Sequence, residues 1–105
     1  MSNVTTTVRA RLVQAKVPTI YNLSMPTSGT EYAQALSANA KRIMVRSRDR
    51  TAQIRFAFVS GNTSTTWITI EPGAVYSEEN LDLEGVTIYL RSNKSSQVVE
   101  ILEWV

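Results

Sequence analysis

The sequence predicts an all-β protein: an antiparallel two-sheet β-sandwich, jelly-roll-like, with an extended N-terminal arm. Three observations carry this. From Lys41 onward apolar residues recur at every second position, the period of a half-buried strand and not of a helix. Turn-forming residues bound these runs at short intervals, and no convincing helical pattern appears. The resulting strands, about six to eight, each have one apolar face that a second layer must cover. An OB-like or other small barrel fits the same rhythm and is the second choice.

Residues 1–30 form an expected arm and connector, and residues 31–105 the sandwich. Val8, Ala10 and Leu12 alternate with Thr7, Arg9 and Arg11 before Pro18, Pro26 and Ser28-Gly29 break the pattern. Such an arm is either an edge strand of its own sandwich or a strand paired with a neighbouring molecule. Glu31 to Ser37 supplies the first strand of the compact part. Ile43 and Val45 then alternate with Arg42, Met44 and Arg46. The polar stretch Ser47 to Thr51 reads as a hairpin connection to the next strand, where Ile54, Phe56 and Phe58 alternate with Gln53, Arg55 and Ala57. Ile68 and Ile70 alternate with Trp67 and Thr69 ahead of Pro72-Gly73, a pair suited to a type II turn because Pro sets φ and Gly accepts a positive one. Val86, Ile88 and Leu90 alternate with Thr87, Tyr89 and Arg91. After the polar loop Ser92 to Gln97, Val98 to Val105 closes the chain.

With 105 residues, 43% of them hydrophobic and 19% charged, the chain fits one domain that needs no metal or disulfide to hold its core. It contains neither histidine nor cysteine, which removes the commonest general base, the commonest metal ligand and any thiol nucleophile. Glu78, Glu79, Asp82 and Glu84 cluster, but paired catalytic acids face each other from separate segments, whereas these are sequence neighbours. Asn80 to Gly85 echoes the start of a calcium loop; its twelfth position is Arg91, where a bidentate Glu is required, so an EF-hand is excluded. No catalytic residue, cofactor or metal is expected. No apolar run approaches the roughly 18 residues of a membrane span, and no secretory pattern is visible, which favours a cytosolic origin. Asn3, Asn22, Asn62 and Asn93 match the glycosylation acceptor pattern, which has meaning only in a secreted chain.

Charge is the most asymmetric property. Residues 1–55 hold nine of the eleven basic residues against Glu31 and Asp49, a net +7; the remainder holds Arg91 and Lys94 against seven acids, a net −5. The series Lys41, Arg42, Arg46, Arg48, Arg50 and Arg55 raises a nucleic-acid reading, but Phe56 and Phe58 share the inward register of Ile54 and leave the cations without stacking partners. Nucleic acid is therefore not an expected partner. Trp67, Tyr89, Leu102 and Trp104 occupy outward strand positions, where exposed aromatic and apolar side chains mark contact surfaces. Either the arm or a sandwich end covers them, or another subunit does.

Ala40 to Ser47, Ile54 to Phe58, Ile70-Glu71-Pro72-Gly73, Tyr76 with Glu78 to Leu81, Ile88 to Ser92 and Val98 to Ile101 together resemble small virion proteins of tailed bacteriophages, across about two thirds of the chain. The resemblance implies a structural β-sandwich assembled in the host bacterial cytoplasm and carried on the virion. There it would bind the major capsid protein as a decoration or cement protein, or belong to the neck or tail, and would act as a homo-oligomer or through lattice contacts. Arg9, Arg11, Trp67, Tyr89, Leu102 and Trp104 are the expected partner-interface residues. A carbohydrate-binding module, with Trp67 and Tyr89 as its platform, is the competing class.

Overall fold

The structure is a computed structural model that describes residues 17–79 and 85–105. These form β1 (Thr19–Met25), β2 (Glu31–Ala35), β3 (Arg42–Ser47), β4 (Ile54–Ala57), a 3-10 turn at Asn62–Ser64, β5 (Ile68–Ile70), β6 (Val75–Glu78), β7 (Thr87–Ser92) and β8 (Gln97–Trp104). They build two four-stranded antiparallel sheets, β1-β8-β3-β6 and β2-β7-β4-β5. This strand order is that of a jelly roll, and it meets the expected two-sheet sandwich.

Alternation explains each strand. In β8, Gln97, Val99, Ile101 and Glu103 are buried while Val98, Glu100, Leu102 and Trp104 point outward, half-buried. In β3, Ile43 and Val45 are fully buried between exposed Arg42 and Arg46. These inner residues meet Ile54, Phe56, Ile88 and Leu90 of the facing sheet, with Met25, Leu36, Ala40, Ala52 and Ile70 completing the core. Each large side chain so buried contributes about 1.5–3 kcal/mol relative to exposure. The Phe56 ring lies 4.8 Å from that of Tyr76 and 4.9 Å, edge-on, from that of Phe58.

Three details differ from the sequence expectation. Ser47 to Thr51 is not a hairpin: β3 lies between β8 and β6, and β4 between β7 and β5, so the connection crosses from one sheet to the other. The physical reason is that Ile43 and Val45 need an opposing apolar layer, which β4 supplies from across the core. The crossing is shaped by Asp49, whose Oδ1 accepts from Thr51 N at 2.9 Å and Thr51 Oγ1 at 2.7 Å, and by buried Ala52. Phe58 lies past the end of β4 and is 39% exposed instead of joining the inner row, and Ile68 on edge strand β5 is 47% exposed. Within the stretch read as connector, Thr19–Met25 is edge strand β1, registered along β8 from Thr19 opposite Glu103 to Met25 opposite Gln97. The turn at Pro72-Gly73 forms as expected, with Ala74 N donating to Glu71 O at 2.9 Å and Gly73 at φ 78°.

Candidate functional site

Both sheets present outer faces, and the two differ. On the β1-β8-β3-β6 face, register aligns Ile20, Leu102, Met44 and Ser77 in one cross-strand row. Ile20 is 67% exposed. Ile20, Met44 and Leu102 line an apolar groove of about 260 Å³ bounded by Arg46 and Glu100. On one flank Glu100 accepts from Arg46 Nε at 2.8 Å and Arg48 Nε at 3.1 Å, and Arg48 Nη2 reaches Asn22 Oδ1 at 3.2 Å. The Arg46 bond, then the Arg48 bond, hold the Glu100 carboxyl below its ordinary range. On the other flank the Arg42 guanidinium sits 4.5 Å over the Trp104 ring and 3.5 Å from Glu79. The face thus has an apolar centre rimmed by charged groups.

The β2-β7-β4-β5 face is partly roofed by its own chain. Register places Glu31, Arg91, Arg55 and Thr69 in one outward row. Glu31 accepts from Gly61 N at 2.9 Å, Thr63 N at 3.3 Å and Thr63 Oγ1 at 2.5 Å, which folds the 3-10 turn over the sheet and buries Thr63 completely. The Thr63 hydroxyl, then the Gly61 amide, hold the Glu31 carboxyl below its ordinary value. Arg55 donates Nη1 to Thr63 O at 3.2 Å and lies 4.0 Å over the Trp67 ring, while Trp67 Nε1 donates to Thr69 Oγ1 at 3.2 Å. One face of the Trp67 indole is thereby occupied.

The expected interface residues consequently do not converge. Leu102 and Trp104 share one outer face with Arg42 and Arg46; Trp67 and Tyr89 belong to the other, where Tyr89 stands opposite Ala33 and Ala57. Arg9 and Arg11 lie outside the described residues, as do Asn80 to Glu84 of the calcium-like stretch and, with them, Asp82 and Glu84 of the acidic cluster. Of that cluster Glu78 accepts from Tyr76 OH at 3.1 Å and Glu79 pairs with Arg42. The basic series divides too: Arg46, Arg48 and Arg50 border a cleft of about 430 Å³ with Gly73 to Val75 and Glu100, whereas Arg55 is on the other sheet.

Sequence reasoning missed Ile20, hidden in a segment read as connector, and it did not join Met44 to Leu102. The outward position of Ile20 was open to period-two parity once β1 was seen as a strand, whereas the Met44–Leu102 contact depends on β3 pairing with β8. It also missed the cross-strand Arg55 and Arg91 pair, which depends on β4 and β7 being neighbours although β5 and β6 separate them in sequence.

No family model matches the chain, and no curated protein matches it. Among solved structures, a solution NMR structure of a de novo designed double-stranded β-helix is similar, at 19% identity and a TM-score of 0.52, covering 86% of this chain and 100% of the designed one. That likeness concerns the fold alone.

Proposed function

We propose that this chain is a non-enzymatic structural protein that docks onto other protein subunits through the outer face of its β1-β8-β3-β6 sheet. The observation that carries the reading is the outer apolar row of exposed Ile20 with half-buried Leu102 and Met44, flanked by Trp104 with Arg42 and by the Arg46–Glu100–Arg48 group. Tryptophan and arginine are the side chains most enriched at contact hot spots, and flanking charges set orientation and register. The setting we infer from the resemblance to small phage virion proteins is the virion, with decoration of the capsid shell ahead of a neck or tail position. Jelly rolls serve in viral capsids and in lectins, so this architecture is compatible with the reading by analogy only.

The test uses the full chain, its Leu102→Asp variant and a Trp67→Ala variant. Solution mass by light scattering and cosedimentation with undecorated phage shells are the readouts. Loss of assembly and of shell binding in Leu102→Asp, with Trp67→Ala unchanged, is expected. A Leu102→Asp protein that assembles and sediments like the parent overturns the docking face. Particle binding lost only with Trp67→Ala transfers the contact to the other sheet, and binding of soluble glycans in place of shells favours the carbohydrate-binding class.

A further inference from the structure

We propose that Arg55 and Arg91, together with Ser28, Gln53 and Asn93, form a binding site for a phosphate group on the outer face of the β2-β7-β4-β5 sheet. The two arginines are direct cross-strand partners on β4 and β7. Like charges placed directly opposite are destabilising in a sheet, so their juxtaposition favours a compensating anion. The protein supplies only part of one. Glu31 stands opposite Arg91 on its other side and its charge acts on Arg91 from there, but its oxygens bond to Gly61 and Thr63 instead of to the guanidinium, and among the described residues no carboxylate lies within ion-pair distance of either arginine.

The donors are oriented in advance. Stacking on Trp67 and the bond to Thr63 O fix the plane of Arg55. The Nε of Arg91 is buried and has no hydrogen-bond partner, a state that normally calls for an explanation such as a ligand. Beside the two guanidiniums opens a cavity of about 260 Å³ lined by Ser28, Gly29, Gln53, Ser92 and Asn93, with no acidic side chain in its wall. Its floor is braced where β4 begins and β7 ends: Gln53 N donates to Asn93 Oδ1 at 2.9 Å and Asn93 N to Gln53 O at 3.2 Å. With Oδ1 so engaged, the Asn93 amide offers donors to the cavity.

Phosphate is the chemistry this set recognises best. Guanidinium forks pair with phosphate oxygens bidentately, and donors arriving from two arginines, an amide and a hydroxyl suit a tetrahedral anion with several acceptor oxygens better than a planar carboxylate with two. The cavity has room for a small group attached to the phosphate. The site stands on the opposite sheet from the docking face and does not depend on it.

The test is a titration of the full chain with inorganic phosphate at constant ionic strength, with acetate in parallel, followed by the arginine Nε–Hε resonances in NMR spectra. Saturable shifts of Arg55 and Arg91 with phosphate, and much weaker ones with acetate, are expected, together with affinity about tenfold or more lower in Arg91→Gln, the loss of one charged contact. Arg46→Gln, in the other basic cleft, should bind phosphate like the parent. Thermal unfolding gives a second readout: phosphate should raise Tm in the parent and not in Arg91→Gln. Shifts that rise linearly without saturating, equal response to acetate, or equal loss in Arg46→Gln would each overturn the proposal.

Discussion

The Ser37 main chain and hydroxyl both bond to the carboxylate of Glu103, at 2.7 Å to Oε2 and 2.6 Å to Oε1, tying the end of the last strand to the loop that follows β2. Glu103 is 1% exposed on the inner side of β8, and Oε1 also accepts from Tyr21 OH at 3.1 Å. A carboxyl group in the core persists only where its oxygens find partners, and here three donors meet them. Glu103→Ala leaves those donors unpaired and should lower unfolding stability by about 1–3 kcal/mol in a urea titration. Glu103→Gln, which keeps the shape and one acceptor, should lose less. A Glu103→Ala protein as stable as the parent refutes this role.

Adjacent residues of β8 should behave in opposite ways. Ile101→Ala opens a cavity in the core and should cost about 2–5 kcal/mol. Leu102→Ala, one residue later on the outer face, should leave stability within about 1 kcal/mol of the parent because no packed layer collapses around it. Chemical denaturation of both variants checks the contrast, and equal losses would show that the outer face is covered in the isolated chain.

Alkaline stability should depend on Tyr76. Burial, then the bond to Glu78 and its charge, push the phenol from 10.0 up to about 12. A raised folded value means the native state keeps the proton longer than the unfolded chain, so the stability this contributes is complete below pH 10.0 and is lost as pH rises to about 12. Unfolding free energy measured across that interval should fall in the parent and stay flatter in Tyr76→Phe.

Acid should act through Glu31 and Glu100, both held below 4.5 by hydrogen bonds. A lowered folded value contributes stability that is present above 4.5 and disappears as pH drops through the folded values. Glu100 is solvent-facing, so its share is small. Glu31→Gln should flatten the acid limb more than Glu100→Gln, and the reverse order would place the stronger linkage on the arginine cluster.

At the β5–β6 turn, Gly73→Ala should cost about 1–2 kcal/mol. Its φ of 78° lies in the left-handed region, while an added Cβ would rest 3.8 Å from Arg50 O, an ordinary contact, so the loss comes from backbone strain alone. Thermal melts of Gly73→Ala and Gly73→Asn separate the two, because Asn tolerates this conformation better.

Strand identity was legible because alternation is local: Ile43 and Val45, Ile54 and Phe56, and Ile88 and Leu90 each declare a buried face within a few residues, and Pro72-Gly73 declares its turn. Much of the candidate site was not. That Trp67 and Leu102 belong to opposite faces, that Arg55 stands against Arg91, and that Glu31 anchors a turn about thirty residues away all depend on which strands become neighbours. The sequence by itself determined an all-β chain of alternating strands, since side-chain period is a property of a few consecutive residues. Only the tertiary structure decided that β3 and β4 part into different sheets and that β1 joins β8, because strand pairing is set by burying every apolar face at once, a condition on the whole chain and not on any segment of it.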